Sequence, residues 1–90
     1  MKFIVKWNIP KGSVVNTESR FLKTGGAPPA GVTMIGRWHG MSGGGVLIAE
    51  TSDAKALYSW LGYWNDLLEF ETTPCLEDAE AGEVLASLKR

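Results

Sequence analysis

The stretch GRWHGMSGGGVLIAE, residues 36–50, joins two segments of β character through a glycine-rich loop around Ser42. The flanking segments, residues 32–39 and 46–51, contain the β-branched and aliphatic side chains that are typical of strands. Glycine tolerates the positive φ angles that a tight antiparallel turn requires. A phosphate-binding loop would need a lysine after the glycines and then a helix, whereas this stretch continues directly into VLIAE. The sequence therefore predicts a β-hairpin.

The chain before this hairpin predicts a strand and a helix. Residues 2–8 alternate in the way expected of a strand that is buried on one side. The side chains that share the buried face are Phe3, Val5 and Trp7. Residues 13–24 have helical spacing, with Ser13 or Asn16 as the N-cap and Gly25 as the stop. The GGAPPAG segment that follows separates this helix from the hairpin.

The chain after the hairpin predicts a helix, a strand and a terminal helix. Ser52 or Asp53 can cap the first of these helices, whose apolar side chains recur at helical spacing. These side chains are Leu57, Trp60, Leu61 and Trp64. This spacing favours a core role for the tryptophans over a surface that stacks nucleic-acid bases. Residues 67–75 alternate as a strand, and residues 77–90 run from acidic to basic in the direction that suits a helix dipole.

This order of elements is the ferredoxin-like βαββαβ plan followed by a C-terminal helix. We therefore expect an α+β fold with an antiparallel four-stranded sheet and both main helices on one face. Residues 1–76 form the ferredoxin-like domain, and residues 77–90 are a helical tail of the same domain. A chain of 90 residues buries only a modest core, so oligomerisation would stabilise it.

The pattern divides the side chains between the two faces of the sheet. Those expected under the helices are Phe3, Val5, Trp7, Leu68 and Phe70. Simple alternation in the second strand places on one face Val32, Met34 and Trp38. It places on the other face Ile35, Arg37 and His39. The glycine-rich turn leaves this register open by one residue.

The opposite face of the sheet has no helix to cover it in a chain this short. Its predicted side chains combine apolar, basic and acidic groups: Ile4, Lys6, Ile35, Arg37, Glu69 and Glu71. A face with charges of both signs suits a self-complementary two-fold interface, so we predict a homodimer through this open face. Glu69 and Glu71 lie on one side of a strand, as a catalytic pair of carboxylates would. Because Lys6 is expected on the adjacent strand, a cross-strand ion pair is the simpler explanation.

Composition argues against several classes of partner and cofactor. A net charge of −1 gives no field to attract nucleic acid or an anionic membrane. The third strand carries no aromatic residue for RNA stacking, and no apolar run approaches the length of a membrane span. Cys75 and His39 are the only cysteine and histidine, too few for a zinc site. We therefore expect no cofactor, metal, nucleic acid or membrane, and a cytoplasmic location.

A ligand site is expected between sheet and helices, or between two sheets. Its candidate residues are Trp7, Arg37, Trp38, His39 and Tyr58. His39 is the candidate catalytic residue, because histidine is the side chain best suited to act as a base near neutral pH. Arg37 could hold an anionic group with its forked donors. A histidine that only hydrogen-bonds to backbone or water at a strand end is the simpler interpretation.

Three stretches carry a resemblance to a known family. They are the first strand, FLKTGGAPPAGVTMIGRWHG at residues 21–40, and ETSDAKALYSWLGYWNDLLEFETTPCLED at residues 50–78. From Met1 to about Ala81 the chain resembles the small stand-alone bacterial proteins of domain-of-unknown-function family 3303. The resemblance implies a ferredoxin-like fold of the dimeric α+β barrel type, in which two sheets pack open face to open face. It implies no activity.

The functional hypothesis is a small homodimeric domain that binds or senses a small organic ligand. One alternative is a cofactor-free enzyme, similar to the monooxygenases and isomerases that share the dimeric barrel architecture. Another is a protein interaction module. Because a fold does not fix a function, the choice between them depends on what the site contains.

Overall fold

The computed structural model describes residues 1–88 and has the element order β-α-β-β-α-β-α. The elements are β1 (Lys2–Asn8), α1 (Val14–Thr24), β2 (Thr33–His39), β3 (Gly45–Glu50), α2 (Ala54–Trp64), β4 (Glu69–Cys75) and α3 (Asp78–Ser87). The strands form one antiparallel sheet in the order β2-β3-β1-β4. The predicted ferredoxin-like α+β fold with a C-terminal helix is thus confirmed. The end of the predicted tail helix, Lys89 and Arg90, lies outside the described residues.

The ends of the main helices follow from residues that the local sequence offers. The Asp53 carboxylate accepts hydrogen bonds from the backbone N–H groups of Lys55 and Ala56, at 3.0 and 3.2 Å, and so caps α2. Gly25 ends α1 with a φ of 70°, the left-handed conformation that glycine adopts without strain. Ser13 lies at the N-cap of α1, but its side chain makes no capping hydrogen bond.

The glycine-rich stretch is a hairpin turn, as predicted. The N–H of Gly40 donates to the carbonyl of Gly44 at 2.8 Å, and the N–H of Gly43 donates to the carbonyl of Gly40 at 3.2 Å. Gly44 has a φ of 72°, and a β-carbon there would lie 2.5 Å from the carbonyl oxygen of Trp7. The turn therefore needs glycine both for its backbone conformation and for its close approach to β1.

The core lies between the sheet and the two main helices. Its buried apolar residues are Val5, Val32, Leu47, Ala49, Leu57, Trp60, Trp64, Leu67 and Leu68. Phe3, Trp7 and Phe70 pack against it and are partly buried. Trp60 and Trp64 are core residues, as their helical spacing predicted.

Simple alternation fails in β2, because this strand contains a β-bulge. Met34 lies opposite Ala49, and Gly36 lies opposite Ile48. Ile35 is therefore an extra residue between two paired positions. A bulge of this kind shifts every later side chain of the strand to the face opposite to the one that alternation predicts.

The bulge decides the faces of three consecutive residues. Arg37 lies opposite the core residue Leu47, on the face that the helices cover. His39 lies on the same covered face, whereas Trp38 lies on the open face. The assignment of Arg37 to the open face is therefore wrong. The placement of His39 on the face opposite to Met34 is wrong as well, and so is the assignment of Met34 and Trp38 to a common face.

None of the helices in the described part of the chain covers the open face of the sheet. Its central apolar side chains are Ile4, Trp38, Val46 and Ile48. Lys6 lies directly opposite Glu71 on this face, as predicted. Both residues lie in the described part of the chain, yet their charged groups form no ion pair. The expected cross-strand ion pair is therefore wrong, although the register behind it is right.

The terminal helix α3 gives the molecule an elongated shape. Within the described range α3 contains no buried residue, and Val84 and Leu85 are exposed. The radius of gyration is 15.3 Å, whereas a compact chain of 90 residues has a radius of about 12 Å. The chain therefore exposes more surface than a compact monomer of its length.

Candidate functional site

A cleft opens between α1, α2 and the end of the sheet that carries the hairpin turn. Its volume is about 630 Å³. Rings from the sheet and from both helices line it: Trp7, Phe21, His39, Trp60, Trp64 and Phe70. Gly40 and Gly44 of the hairpin turn border it as well. The site is thus an aromatic cavity at the margin of the core.

Regular secondary structure brings these rings together. Trp7 on β1 and Phe70 on β4 lie directly opposite each other in the sheet. Trp60 and Trp64 are four residues apart on α2, so both face the sheet. Because rigid elements hold these rings, the cleft is built into the fold.

His39 lies at the end of β2 with its ring between two other rings. The centroid of the imidazole is 5.6 Å from that of Trp7 and 5.3 Å from that of Phe21, with edge-to-face geometry in both pairs. Within residues 1–88 its ring nitrogens make no hydrogen bond to a protein atom. The imidazole is therefore free to hydrogen-bond to a ligand, but no carboxylate orients it as a general base.

Arg37 is held by the backbone that follows α1. Its guanidinium donates to the carbonyl oxygens of Gly25 at 2.9 Å and Gly26 at 2.8 Å, and it lies 4.9 Å from the centroid of the Phe21 ring. Burial lowers the pKa of Arg37 below its ordinary value, but arginine keeps its charge in proteins. Both terminal nitrogens of the guanidinium therefore secure the backbone at the end of α1.

Thr17 contributes a buried polar group to the mostly aromatic and aliphatic wall of the cleft. It lies on α1 one turn before Phe21, and its side chain is buried. In the described part of the chain its hydroxyl oxygen has no hydrogen-bond partner. Buried polar groups in proteins are nearly always paired, so an unpaired hydroxyl in a cavity wall is notable.

The structure gathers only part of the candidate ligand site. Trp7, Arg37 and His39 line the same cleft. Trp38 lies on the other face of the sheet and is 58% exposed. Tyr58 lies on α2, is 81% exposed and does not line the cleft. The cleft is therefore built from the covered face alone.

Sequence reasoning missed several residues of the cleft. The helical spacing predicts a core role for Trp60 and Trp64, and in the structure the two side chains also form part of the cavity wall. Phe21 and Thr17 both lie in the predicted first helix, but nothing in the sequence marks Thr17 as part of a site, because a helical threonine resembles a surface residue. The i to i+4 spacing of Thr17 and Phe21 is the one signal that could have placed them together.

Arg20 joins the two helices that form the cleft. Its guanidinium donates to both carboxylate oxygens of Asp66, at 2.8 and 2.7 Å, and to the carbonyl of Tyr63 at 2.7 Å. It also lies 5.2 Å from the Tyr63 ring centroid and 5.4 Å from that of Trp64. The hydrogen bonds from Arg20 lower the pKa of the Asp66 carboxyl below its ordinary value. This exposed ion pair fixes α1 against the end of α2.

A second cavity of about 440 Å³ lies at the other end of the sheet, near Cys75. Lys2 borders it and is paired with Glu77 at 2.9 Å and with Glu50 at 3.6 Å. The hydrogen bond to Glu77 raises the pKa of Lys2. Among residues 1–88 no three histidine, cysteine or acidic side chains lie together in a group that could hold a metal ion. None of the described helices has the length and apolar character needed to cross a bilayer.

Comparison with known proteins identifies a family but no activity. The model of the domain of unknown function DUF3303 matches residues 1–89, which is nearly the whole chain. No curated protein and no solved structure matches the chain significantly. The match includes the stretches at residues 21–40 and 50–78 that suggested this family. The chain therefore belongs to the DUF3303 family.

Proposed function

We propose that this protein binds a small, neutral, flat aromatic molecule in the cleft between the helices and the sheet. The observation that carries the proposal is the convergence of aromatic rings around a cavity of about 630 Å³. Ligand sites of proteins are clefts of about 300–1,000 Å³ lined mainly by apolar and aromatic side chains. Aromatic walls favour a flat ring, because edge-to-face and offset stacking add to the burial of apolar surface.

The charged groups near the cleft support a neutral ligand. Arg37 lines the cleft, but each of its two terminal nitrogens already donates to a backbone carbonyl, of Gly25 or Gly26. Glu18 also lines the cleft and would repel an anion. The positive charge of Arg37 disfavours a cation in the same way. His39 offers hydrogen-bonding groups beside the rings of Trp7 and Phe21.

We also propose that the protein is a homodimer, in which a second copy of this chain covers the open face. The chain exposes 6484 Å², whereas a compact monomer of 9.8 kDa exposes about 5,200 Å². The excess of about 1,300 Å² is larger than the roughly 800 Å² that each partner buries in a standard interface. The exposed apolar side chains include Trp38 on the open face and Val84 and Leu85 on α3.

The charges on the open face also support a second copy as its occupant. Lys6 and Glu71 lie opposite each other on adjacent strands without forming an ion pair. A two-fold axis through this face would bring the lysine of one copy to the glutamate of the other. Ile4 and Ile48 lie at the centre of the same face and supply apolar surface to bury. Sedimentation equilibrium should therefore give twice the chain mass, and a monomer at high concentration would contradict this part of the proposal.

The test of ligand binding uses N-phenyl-1-naphthylamine, a neutral aromatic probe whose fluorescence rises in apolar sites. We expect saturable binding to the wild-type protein. His39→Ala removes a ring from the cleft and should weaken binding about threefold to tenfold. Trp38→Ala is the matched control, because it removes the ring of the residue beside His39 in β2, and that ring lies on the open face of the sheet. Equal losses in the two variants, or no saturable binding to the wild type, would contradict the proposal.

A cofactor-free enzyme is the second candidate, because His39 borders the cleft and its ring nitrogens have no hydrogen-bond partner among residues 1–88. Binding ranks first, because no carboxylate orients the imidazole for proton transfer. Releasing the molecule that copurifies with the protein and identifying it by mass spectrometry would supply the physiological ligand. Turnover of that molecule that is lost in His39→Ala would select the enzyme. Binding without turnover would select the ligand-binding domain.

A further inference from the structure

The structure describes two buried polar residues, Thr17 and Thr51, and their hydroxyl groups differ. The hydroxyl of Thr51 donates to the carbonyl of Gly31 at 2.6 Å. Thr17 is only 7% exposed, and its Oγ1 atom has no hydrogen-bond partner among the described residues. Thr24, on the same helix as Thr17, donates to the carbonyl of Arg20 at 2.8 Å, as helical threonines commonly do. Thr17 is thus an exception even on its own helix.

The missing partner of Thr17 is not explained by its helix. The backbone N–H of Thr17 donates to the carbonyl of Ser13 at 2.9 Å, so the main chain is satisfied without the side chain. A buried hydroxyl that has lost water without gaining a partner destabilises the folded protein. Thr17 lines the cleft, where the surrounding groups are mostly rings and aliphatic chains. Its Oγ1 atom exposes less than 1 Å² in this structure, so a bound molecule reaches the hydroxyl only when the side chains around it shift.

The positions of Thr17 and His39 give the cleft a direction. Thr17 is buried, whereas His39 is exposed at the end of β2. The rings of Phe21 and Trp7 contact the imidazole of His39, so aromatic surface lies beside the exposed end. A flat ligand that lies along these rings would place one end at the buried hydroxyl and the other end near solvent.

We infer that the ligand is an oxygenated aromatic whose carbonyl or phenolic hydroxyl hydrogen-bonds to Oγ1 of Thr17 at the inner end of the cleft. This inference rests on the proposed function and adds the chemical group that the ligand presents. A threonine hydroxyl can donate to a carbonyl and can exchange hydrogen bonds with a phenol. A site that hydrogen-bonds to a ligand oxygen disfavours the analogue that lacks it, so Thr17 selects against plain hydrocarbons of the same shape.

The test compares naphthalene, 2-naphthol and 2-acetonaphthone as probes. Binding is followed by tryptophan fluorescence in a Trp38→Phe background, which removes the tryptophan of the open face from the signal. We expect both oxygenated probes to bind more tightly than naphthalene, by about fivefold to tenfold, which is the scale of one net hydrogen bond. Thr17→Val replaces the hydroxyl with a methyl group, and we expect it to lose this preference without changing naphthalene binding. If only one of the two oxygenated probes binds more tightly than naphthalene, the result shows whether Thr17 prefers a phenolic hydroxyl or a carbonyl.

Two control variants make the result specific to the hydroxyl. Thr17→Ser keeps the hydroxyl and should keep the preference, and Thr33→Val changes an exposed threonine of β2 and should not alter it. Thermal unfolding of the unliganded protein checks that Thr17→Val folds, and the loss of an unsatisfied hydroxyl predicts an equal or higher Tm. If the relative affinities of the three probes are the same in Thr17→Val as in the wild type, the inference is wrong and the proposed function stands. If no probe binds the wild type, both are wrong.

Discussion

Arg37, Trp38 and His39 are consecutive in the sequence, yet they belong to two different surfaces of the sheet. Arg37 holds the end of α1, and His39 borders the aromatic cleft, both on the covered face. Trp38 lies on the open face, where no helix covers it. The difference shows that one strand can serve a cavity on one side and an uncovered surface on the other, because successive side chains point to opposite faces.

The two faces also differ in how their apolar residues are used. On the covered face, large rings pack at the margin of the core and leave a cavity between them. On the open face, Ile4 and Ile48 lie side by side near charged residues and are only partly buried. On this account the covered face binds a ligand, the open face binds a second copy, and each can be disturbed without the other.

The hairpin turn supports both faces of the sheet, so disrupting it should lower the stability of the fold more than any other change described below. Gly44→Ala adds a β-carbon 2.5 Å from the Trp7 carbonyl oxygen at a φ of 72°, and should lower the free energy of unfolding by about 2–3 kcal/mol. Gly43→Ala is the matched control, because its φ of 89° is also positive but no atom lies within 4 Å of the new β-carbon. It should cost only about 1 kcal/mol. Urea denaturation measures both values, and equal values would show that the approach to β1 is unimportant.

A charge at the centre of the open face should separate the two functions. Ile48→Glu is expected to weaken the dimer by about tenfold to a hundredfold, because it buries an unpaired carboxylate in the interface. Binding of the aromatic probe should not change. Tyr58→Glu places the same charge on an exposed position of α2 and should leave both properties intact. Sedimentation equilibrium and probe titration measure the two effects, and a parallel loss of dimer and ligand binding would contradict the separation of the faces.

The ion pair between Arg20 and Asp66 should make the wall of the cleft sensitive to acid. Its hydrogen bonds lower the pKa of Asp66, so the pair stabilises the fold above the unfolded pKa of about 4 and stops doing so as the pH falls through the lower folded pKa. The Tm difference between wild type and Asp66→Asn should therefore shrink below about pH 4. The effect should be small, because the pair is exposed to solvent. A difference that grows in acid would contradict this assignment.

The smallest effect is expected in the loop itself. Ser42 is exposed, and Ser42→Ala should change the free energy of unfolding by less than about 0.5 kcal/mol. ATP should not bind to either protein, because no helix begins after the glycines. Saturable binding of ATP that is lost in Ser42→Ala would mean that the turn is a phosphate site after all.

The fold could be predicted because its decisive signals are local. The Asp53 cap, the Gly25 stop and the glycine-rich turn each act within a few residues, and each fixes where an element begins or ends. The bulge in β2 could not be predicted from alternation, because alternation assumes an unbroken period of two. The lone Gly36 inside that strand was a usable signal, and a β-carbon there would lie 2.6 Å from the Trp38 indole.

The cleft was less predictable, because it depends on contacts between elements that are distant in the chain. Trp7, Arg37 and His39 were candidates from sequence because their residue types are common in sites, and the fold places all of them along the cleft. Trp38 was a candidate for the same reason, but the structure places it on the open face. Thr17 was missed because an unsatisfied hydroxyl becomes visible only when every potential partner around it has been placed.

The central claim is that the covered face binds the ligand and the open face does not. It is tested most directly by following the tryptophan indole N–H signals in the NMR spectrum of the ¹⁵N-labelled protein as 2-naphthol is added. The chain has four tryptophans, of which Trp7, Trp60 and Trp64 line the cleft and Trp38 lies on the open face. We predict that the three indole signals from the cleft shift together to saturation while the Trp38 signal stays in place. A Trp38 signal that shifts with the others, or that shifts alone, would contradict the account.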